Sequence, residues 1–278
     1  MASDHRQDRE RLAGAYQTRA SVLDEINELS PWHKLYRLIT AEHLASLRAP
    51  VPRAVDLAAG TGLTAQLLCR LGYAVAAVET LPVMLEILRQ KAVTQDIEVL
   101  DFDLTGGGEL TLSDFGLATC TQAINFFPSL EPVFAMASDC LCPGGRFYVD
   151  IDTTYRWVVT ETLAGRSSNA LAILNEGRDA SRHIVGADYY FHSERDVVDA
   201  LGRHGFFDIS VSGILPLAPL LHVLHESADF LDRPGLRAAA AHYTSAVGFD
   251  ELRLLDERLS GMVPRELCGY IRFDAVRR

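Results

Sequence analysis

The feature that most constrains this chain is a rhythm. Short apolar runs at 53–58, 73–78, 97–100, 115–120 and 145–151 each stop at a glycine, an acid or a polar turn, and amphipathic stretches follow or intervene. Runs of four to seven apolar residues alternating with helices of ten or more residues predict βαβ units on a parallel sheet. The runs are continuous rather than alternating because both faces of such a sheet are covered. Two later runs, 206–211 and 268–273, complete a doubly wound α/β fold with seven mostly parallel strands.

The remaining segments are assigned by the same patterning. Residues 9–48 read as helix, interrupted at Ser30-Pro31, which supplies an N-cap and a proline at the first helical position. Residues 153–185 are mixed and polar and read as irregular, with a short strand at 187–191 and a capped helix from Ser193 to His204. An insertion of about fifty residues between the last two strands is helical by pattern at 220–231, 236–247 and 252–259. The expected organisation is a helical N-terminal lid at 1–50 and a Rossmann-like core at 51–213. A helical cap insertion at 214–264 and a final core strand at 265–278 follow.

Charge and cysteine usage narrow the class of partner. With 26 Lys and Arg against 37 Asp and Glu, the net charge is −11, which argues against nucleic acid and against anionic membrane. The most apolar run, 214–224, carries two prolines and is too short for a bilayer. The polar opening MASDHRQDRER has no apolar core of a signal peptide. Cys69, Cys120, Cys140, Cys142 and Cys268 are odd in number and form neither a disulfide framework nor a zinc spacing. A reduced cytoplasmic protein is expected, with a homodimer left open.

The first strand ends in Val55-Asp56-Leu57-Ala58-Ala59-Gly60-Thr61-Gly62 and runs straight into a helix, which places a ligand site at the carboxyl edge of the sheet. Seventeen residues after Gly62, the second strand ends in Glu79, whose carboxylate can accept both hydroxyls of a ribose. The third ends in Asp101-Phe102-Asp103, an acid beside an aromatic, suited to an adenine amino group and ring face. Leu141-Cys142-Pro143-Gly144-Gly145 precedes the fifth strand.

This ordered set, over residues 55–151, resembles the class I S-adenosylmethionine-dependent methyltransferases of the bacterial small-molecule type. Glu79-Thr80-Leu81-Pro82-Val83-Met84-Leu85 resembles the family's D-x-S-x-x-M-L stretch, and Gln122-Ala123-Ile124-Asn125-Phe126-Phe127 its D-S-L-N-Y-L variant. Ala58 stands where the first motif glycine is usual, Gly116 where strand four carries an aspartate, and Gln122 where an acid is found. The resemblance implies S-adenosyl-L-methionine as cofactor, S-adenosyl-L-homocysteine as product, and no metal. It implies that Asp56 orders the turn and that Ala58, Gly60, Thr61 and Gly62 pack on the methionine and ribose portions. Glu79 would take the ribose, Thr80 and Met84 would flank the adenine, and Asp101 and Phe102 would recognise its edge. Thr121 and Gln122 would lie near the sulfonium, and Tyr16 would close from the N-terminal helices.

For the acceptor, the aromatic residues Trp32, Tyr36, Phe126, Tyr155 and Trp157, with Asn125 and His222, are candidate substrate contacts. His33, His192, His222 and His225 are candidate bases for an oxygen acceptor. The His222-x-x-His225-Glu226 spacing lacks a third metal ligand and reads as a pocket-facing or solvated pair. The expected activity is methyl transfer to a small molecule, with an O or N acceptor in bacterial natural-product biosynthesis. Two alternatives stand beside it: a bound cofactor serving a non-methyl reaction such as a cyclisation, and a protein or carrier-bound acceptor. Glu79 is expected to serve the ligand rather than the core, so that its removal leaves folding nearly intact. The apolar 215–224 segment is expected to line the acceptor pocket, and loss of 214–264 to spare cofactor binding.

Overall fold

The computed structural model describes residues 10–17, 19–106, 110–179, 181–182, 184–218 and 242–278. Seven strands form one sheet: β1 (Arg53–Leu57), β2 (Ala74–Glu79), β3 (Ile97–Asp101), β4 (Phe115–Cys120), β5 (Leu141–Asp152), β6 (Phe206–Ile214) and β7 (Tyr270–Arg277). Their order is β3-β2-β1-β4-β5-β7-β6. All neighbours through β5 are parallel, and β7 runs antiparallel to both β5 and β6. The order reverses between β1 and β4, so the crossovers on either side diverge and leave a crevice at the carboxyl ends of these strands.

Helices cover both faces. They are α1 (residues 10–16), α2 (Ala20–Leu29), α3 (Pro31–Ser46), α4 (Leu63–Arg70), α5 (Pro82–Ala92), α6 (Glu131–Cys140), α7 (Thr154–Leu163), α8 (Ser167–Glu176), α9 (Glu194–Arg203) and α10 (Ala246–Ser260). Successive strand residues divide between the two faces. Ala54, Leu117 and Tyr148 pack with Leu44, Leu68 and Leu88 on one side. Val55, Ala118 and Phe147 pack with Phe134, Val197 and Leu201 on the other. Every one of these side chains is fully buried, and a buried Leu or Phe contributes about 1.5–3 kcal/mol. That double burial is why the strands read as unbroken apolar runs.

Several expectations needed correction. Residues 153–185 are not irregular: α7 and α8 occupy most of the segment, with Thr153 capping α7 through its side chain. The run at 187–191 forms no strand; Tyr190 makes one isolated bridge to Arg178. Ser30 occupies the N-cap position of α3, yet its side chain makes no capping bond; its carbonyl accepts from Lys34. The Leu141–Gly145 motif lies within β5, where pairing jumps from Phe115↔Leu141 to Leu117↔Arg146 across an irregularity. Proline has no N–H for the ladder, and the jump accommodates it.

Of the insertion, the structure describes residues 214–218 and 242–264; residues 219–241, and with them the expected helix at 220–231 and the first half of that at 236–247, lie outside. Leu215, Ala218 and Leu252 are fully buried beside Trp32, Leu35, Tyr36 and Tyr270. This part of the insertion is therefore core to the N-terminal helices, and its removal would uncover them. Residues 215–218 do not line the cavity described next.

Among the described residues, no helix is long and apolar enough to cross a membrane. All five cysteines are free thiols.

Candidate active site

A cavity of about 870 Å³ opens at the carboxyl ends of the parallel strands. One end is formed by the turn after β1, the end of β2 and the residues that follow β3. The other is formed by residues after β4, the end of β5, α7, the first residue of β7 and the segment 184–190. Helices α1 and α2 and the start of α3 close over both.

The turn explains its own sequence. Ala58, Gly60 and Gly62 all have positive φ, at 55°, 56° and 86°. A left-handed conformation costs an alanine roughly 1–2 kcal/mol, so Ala58 carries strain that a glycine would avoid. A Cβ on Gly62 would collide with Leu88, which is how the turn lets α4 and α5 pack closely. Gly116, where an aspartate was expected, lies against the backbone of Val51, which leaves no room for any side chain.

Glu79 braces this turn. Its Oε2 accepts the Gly60 N–H at 2.7 Å, and its Oε1 accepts the N–H groups of Thr80 at 2.7 Å and Leu81 at 2.8 Å. Burial raises its pKa, and these three donors pull it back. Asp56 is buried below the turn, outside the cavity lining. Burial pushes its pKa up to about 7, opposed by the Thr119 hydroxyl, which donates to Oδ1 at 2.7 Å, and by the Ala65 backbone N–H. From α2, Asp24 accepts the Thr61 hydroxyl at 2.7 Å and pairs with Lys91 of α5. Tyr16 lines the cavity edge-to-face with Phe126, its phenol pushed up to about 12 by burial.

Of the expected cofactor residues, Tyr16, Ala58, Gly60, Thr61, Glu79, Thr80, Met84, Thr121 and Gln122 line the cavity. Gly62, Asp101 and Phe102 do not. Asp101 is still in the ladder opposite Glu79, its exposed side chain facing Arg89, while Phe102 packs toward the core. Because the Phe102 N–H is held by the Glu79 carbonyl, the chain reaches the cavity only at Asp103. Asp103 Oδ1 accepts the N–H and hydroxyl of Thr105.

Of the expected substrate contacts, Trp32, Phe126 and Trp157 line the cavity, as does His33 among the candidate bases. Tyr36 lies one helical turn deeper than Trp32 and donates to Asp150 Oδ2 at 2.5 Å. Asn125 is a buried staple: its Nδ2 donates to the Tyr190 carbonyl at 2.6 Å and its Oδ1 accepts the Asp152 N–H at 2.8 Å. Tyr155 is 40% exposed on α7, whose next two residues turn inward instead. His192 contacts the Phe127 carbonyl through Nε2 and lies outside this cavity, with its pKa lowered by burial. His222 and His225 fall outside the described residues.

At the far end of the cavity, sequence reasoning named Trp157 but missed the charged and phenolic groups beside it, Asp152, Arg156 and Tyr270. Asp152, Arg156, Trp157, Tyr189 and Tyr270 all line the cavity. Arg156 pairs with Asp152 at 2.7 Å, and its guanidinium carbon lies 4.6–4.8 Å from the ring centroids of Trp32, Trp157 and Tyr270. The other Asp152 oxygen accepts from Trp157 Nε1 at 2.6 Å and Tyr189 OH at 2.8 Å. Cation–π contacts of a desolvated guanidinium are worth about 2 kcal/mol or more, so this ion pair holds three aromatic walls in place. An acid ending β5, as acids end β2 and β3, was the available signal; the position of Tyr270 had none.

Comparison with known proteins follows from this geometry. Residues 55–149 match the family model described as a methyltransferase domain. A search of curated protein sequences finds no match. Among solved structures, an S-adenosylmethionine-dependent methyltransferase from Thermotoga maritima, described as a possible histamine N-methyltransferase, is 16% identical with a TM-score of 0.58, over 96% of this chain and 100% of its own. One from Mesorhizobium loti is 17% identical with a TM-score of 0.55, over 87% and 98%. A phosphoethanolamine N-methyltransferase from Haemonchus contortus, in complex with phosphomonomethylethanolamine and S-adenosylhomocysteine, is 16% identical with a TM-score of 0.53, over 87% and 52%.

Proposed function

From the premise that residues 55–149 form a methyltransferase domain of the class I, S-adenosylmethionine-dependent fold, we propose that the chain methylates a small molecule. The acceptor atom is an oxygen or nitrogen, in a molecule of the kind bacterial natural-product pathways supply. One observation carries this reading: a single cavity joins the glycine turn and Glu79 to an aromatic-walled chamber beyond β4.

The residues present fit the cofactor. The left-handed turn at Ala58–Gly62 brings backbone close to the cavity, and Glu79 and Asp103 place carboxylates at its nucleoside end. Thr80, Leu81 and Met84 supply an apolar wall for a base. When bound, the cofactor supplies an electrophilic methyl group on a sulfonium. The chain's own contribution is alignment and exclusion of water, which together can lower a barrier by several kcal/mol. Thr121, hydrogen-bonded to Thr64 beside the glycine turn, and Gln122, hydrogen-bonded to Tyr270, link the two ends of the cavity. His33 is the one described candidate base that lines the chamber, and its ring lies 3.5 Å from that of Trp32.

Calorimetric titration with S-adenosylhomocysteine tests the reading first. At a hundredfold excess over Kd, the ligand should stabilise the fold by about 2.7 kcal/mol. Transfer of label from methyl-labelled cofactor into a small-molecule panel tests it second. Absence of cofactor binding at millimolar concentration refutes the proposal.

A further inference from the structure

The acceptor end of the cavity holds a pair of polar side chains with donor capacity to spare. Tyr270 opens β7 opposite Asp152, at the carboxyl end of β5, and is 2% exposed while lining the cavity. Gln122 Nε2 donates to its phenol oxygen at 2.9 Å. The Arg156 guanidinium carbon lies 4.7 Å from its ring centroid. A phenol that accepts a hydrogen bond still has its own O–H to give, and no described residue accepts it.

The neighbouring carboxylates are already engaged. Asp152 takes Arg156, Trp157 and Tyr189. Asp150 takes the Tyr36 hydroxyl and the Gln122 backbone N–H, the latter at 2.8 Å. That second bond fixes Gln122 in a left-handed conformation, φ 51°, so its amide is held against Tyr270. Turning the amide over merely exchanges roles: the phenol then donates to Oε1 and the NH2 group is left over. In both arrangements the pair presents a donor to the cavity.

We infer that the Gln122–Tyr270 pair donates a hydrogen bond to an oxygen of the methyl acceptor, and that this acceptor is a planar aromatic or conjugated molecule. Its ring lies among Trp32, Phe126, Trp157 and Tyr189. A protonated amine is disfavoured here, because it would meet donors on two side chains and the positive guanidinium beside them. The inference rests on the methyltransferase reading and names the substrate class of that site. The pair acts by positioning; it binds and orients the acceptor.

Three ring probes of similar size separate the chemistries: acetophenone, toluene and benzylamine, each titrated into protein saturated with S-adenosylhomocysteine. Acetophenone should bind about tenfold more tightly than either other probe, the worth of one hydrogen bond between neutral groups. In the double variant Tyr270→Phe/Gln122→Leu, saturated with the same cofactor product, that advantage should fall below about threefold. Equal or tighter binding of toluene or benzylamine to the unaltered protein overturns the inference without recourse to any variant. So does an acetophenone preference that survives the double substitution. Failure of the cofactor product itself to bind refutes the methyltransferase reading instead, so the two failures are distinguishable.

Discussion

Replacing Glu79 by alanine should damage the fold and the ligand site together. The carboxylate accepts three backbone N–H groups at 2.7–2.8 Å, from Gly60, Thr80 and Leu81, and the residue is 7% exposed. Hydrogen bonds to a charged partner are worth roughly 1.5–3 kcal/mol each, and a buried donor left without a partner costs about 1–3 kcal/mol. Gly60 and Thr80 line the cavity and can recover water; Leu81 lines it too but is only 6% exposed. The loss should therefore be about 2–4 kcal/mol, well short of three full bonds. Three of the carboxylate's roughly four acceptor positions are taken, leaving capacity for one ribose hydroxyl rather than two. Cofactor affinity should fall by about one to three orders of magnitude, since the turn relaxes as the direct bond disappears. Glu79→Gln should fall between, because its NH2 group opposes at least one N–H donor. Urea unfolding gives the stability change and calorimetry with S-adenosylhomocysteine gives the affinity. An Ala variant with unchanged unfolding midpoint and unchanged Kd refutes the bracing argument; unchanged stability with lost affinity restores the simpler view of Glu79 as ligand contact alone.

Two further outcomes follow from the geometry. Asp24→Ala removes the acceptor of the Thr61 hydroxyl and the partner of Lys91; it should cost about 1 kcal/mol of stability and speed release of S-adenosylhomocysteine about three- to tenfold, and an unchanged dissociation rate in stopped flow would count against a role for this contact in holding α2 on the turn. Asp56 and Asp150 are held at about 7 by burial against an ordinary value of 3.8, so the folded chain keeps protons that the unfolded chain has released between these limits. As far as these two groups are concerned, stability should therefore be greatest below about pH 4, fall as pH rises to about 7, and level above it. Urea midpoints no lower at pH 8 than at pH 5 would contradict this.

The parallel core was legible because its physics is local. An apolar run covered on both faces must be continuous, so β1 to β4 appear in the sequence close to their structural bounds. The acid ending β2 and the glycines after β1 occupy positions dictated by strand ends and tight turns, and they reach the cavity. Asp103 in place of Asp101 was a smaller miss: Asp101 is still in the ladder and the Phe102 N–H is held by Glu79, so the chain turns inward only at Asp103. Helices α7 and α8 escaped because their buried faces include Arg156, Thr160, Glu161 and Asn169, polar residues whose partners lie on the same two helices and at the strand edge. Periodicity of apolar residues cannot register a face that is buried through ion pairs.

What the sequence by itself determined is the doubly wound core, the cofactor edge and the family that edge resembles. What only the tertiary structure decided is the aromatic-walled chamber beyond β4. Asp152 and Tyr270 are 118 residues apart in the chain and stand opposite each other because β7 inserts antiparallel between β5 and β6. Gln122, Arg156 and Tyr189 join them from three other segments. Gln122 was legible from its motif, but Asp152, Arg156, Tyr189 and Tyr270 read as ordinary polar or aromatic residues where they stand, and strand register across a long insertion carries no local signature. The chemistry of the turn is written in neighbouring residues, whereas the chemistry of the chamber exists only once distant ones are paired.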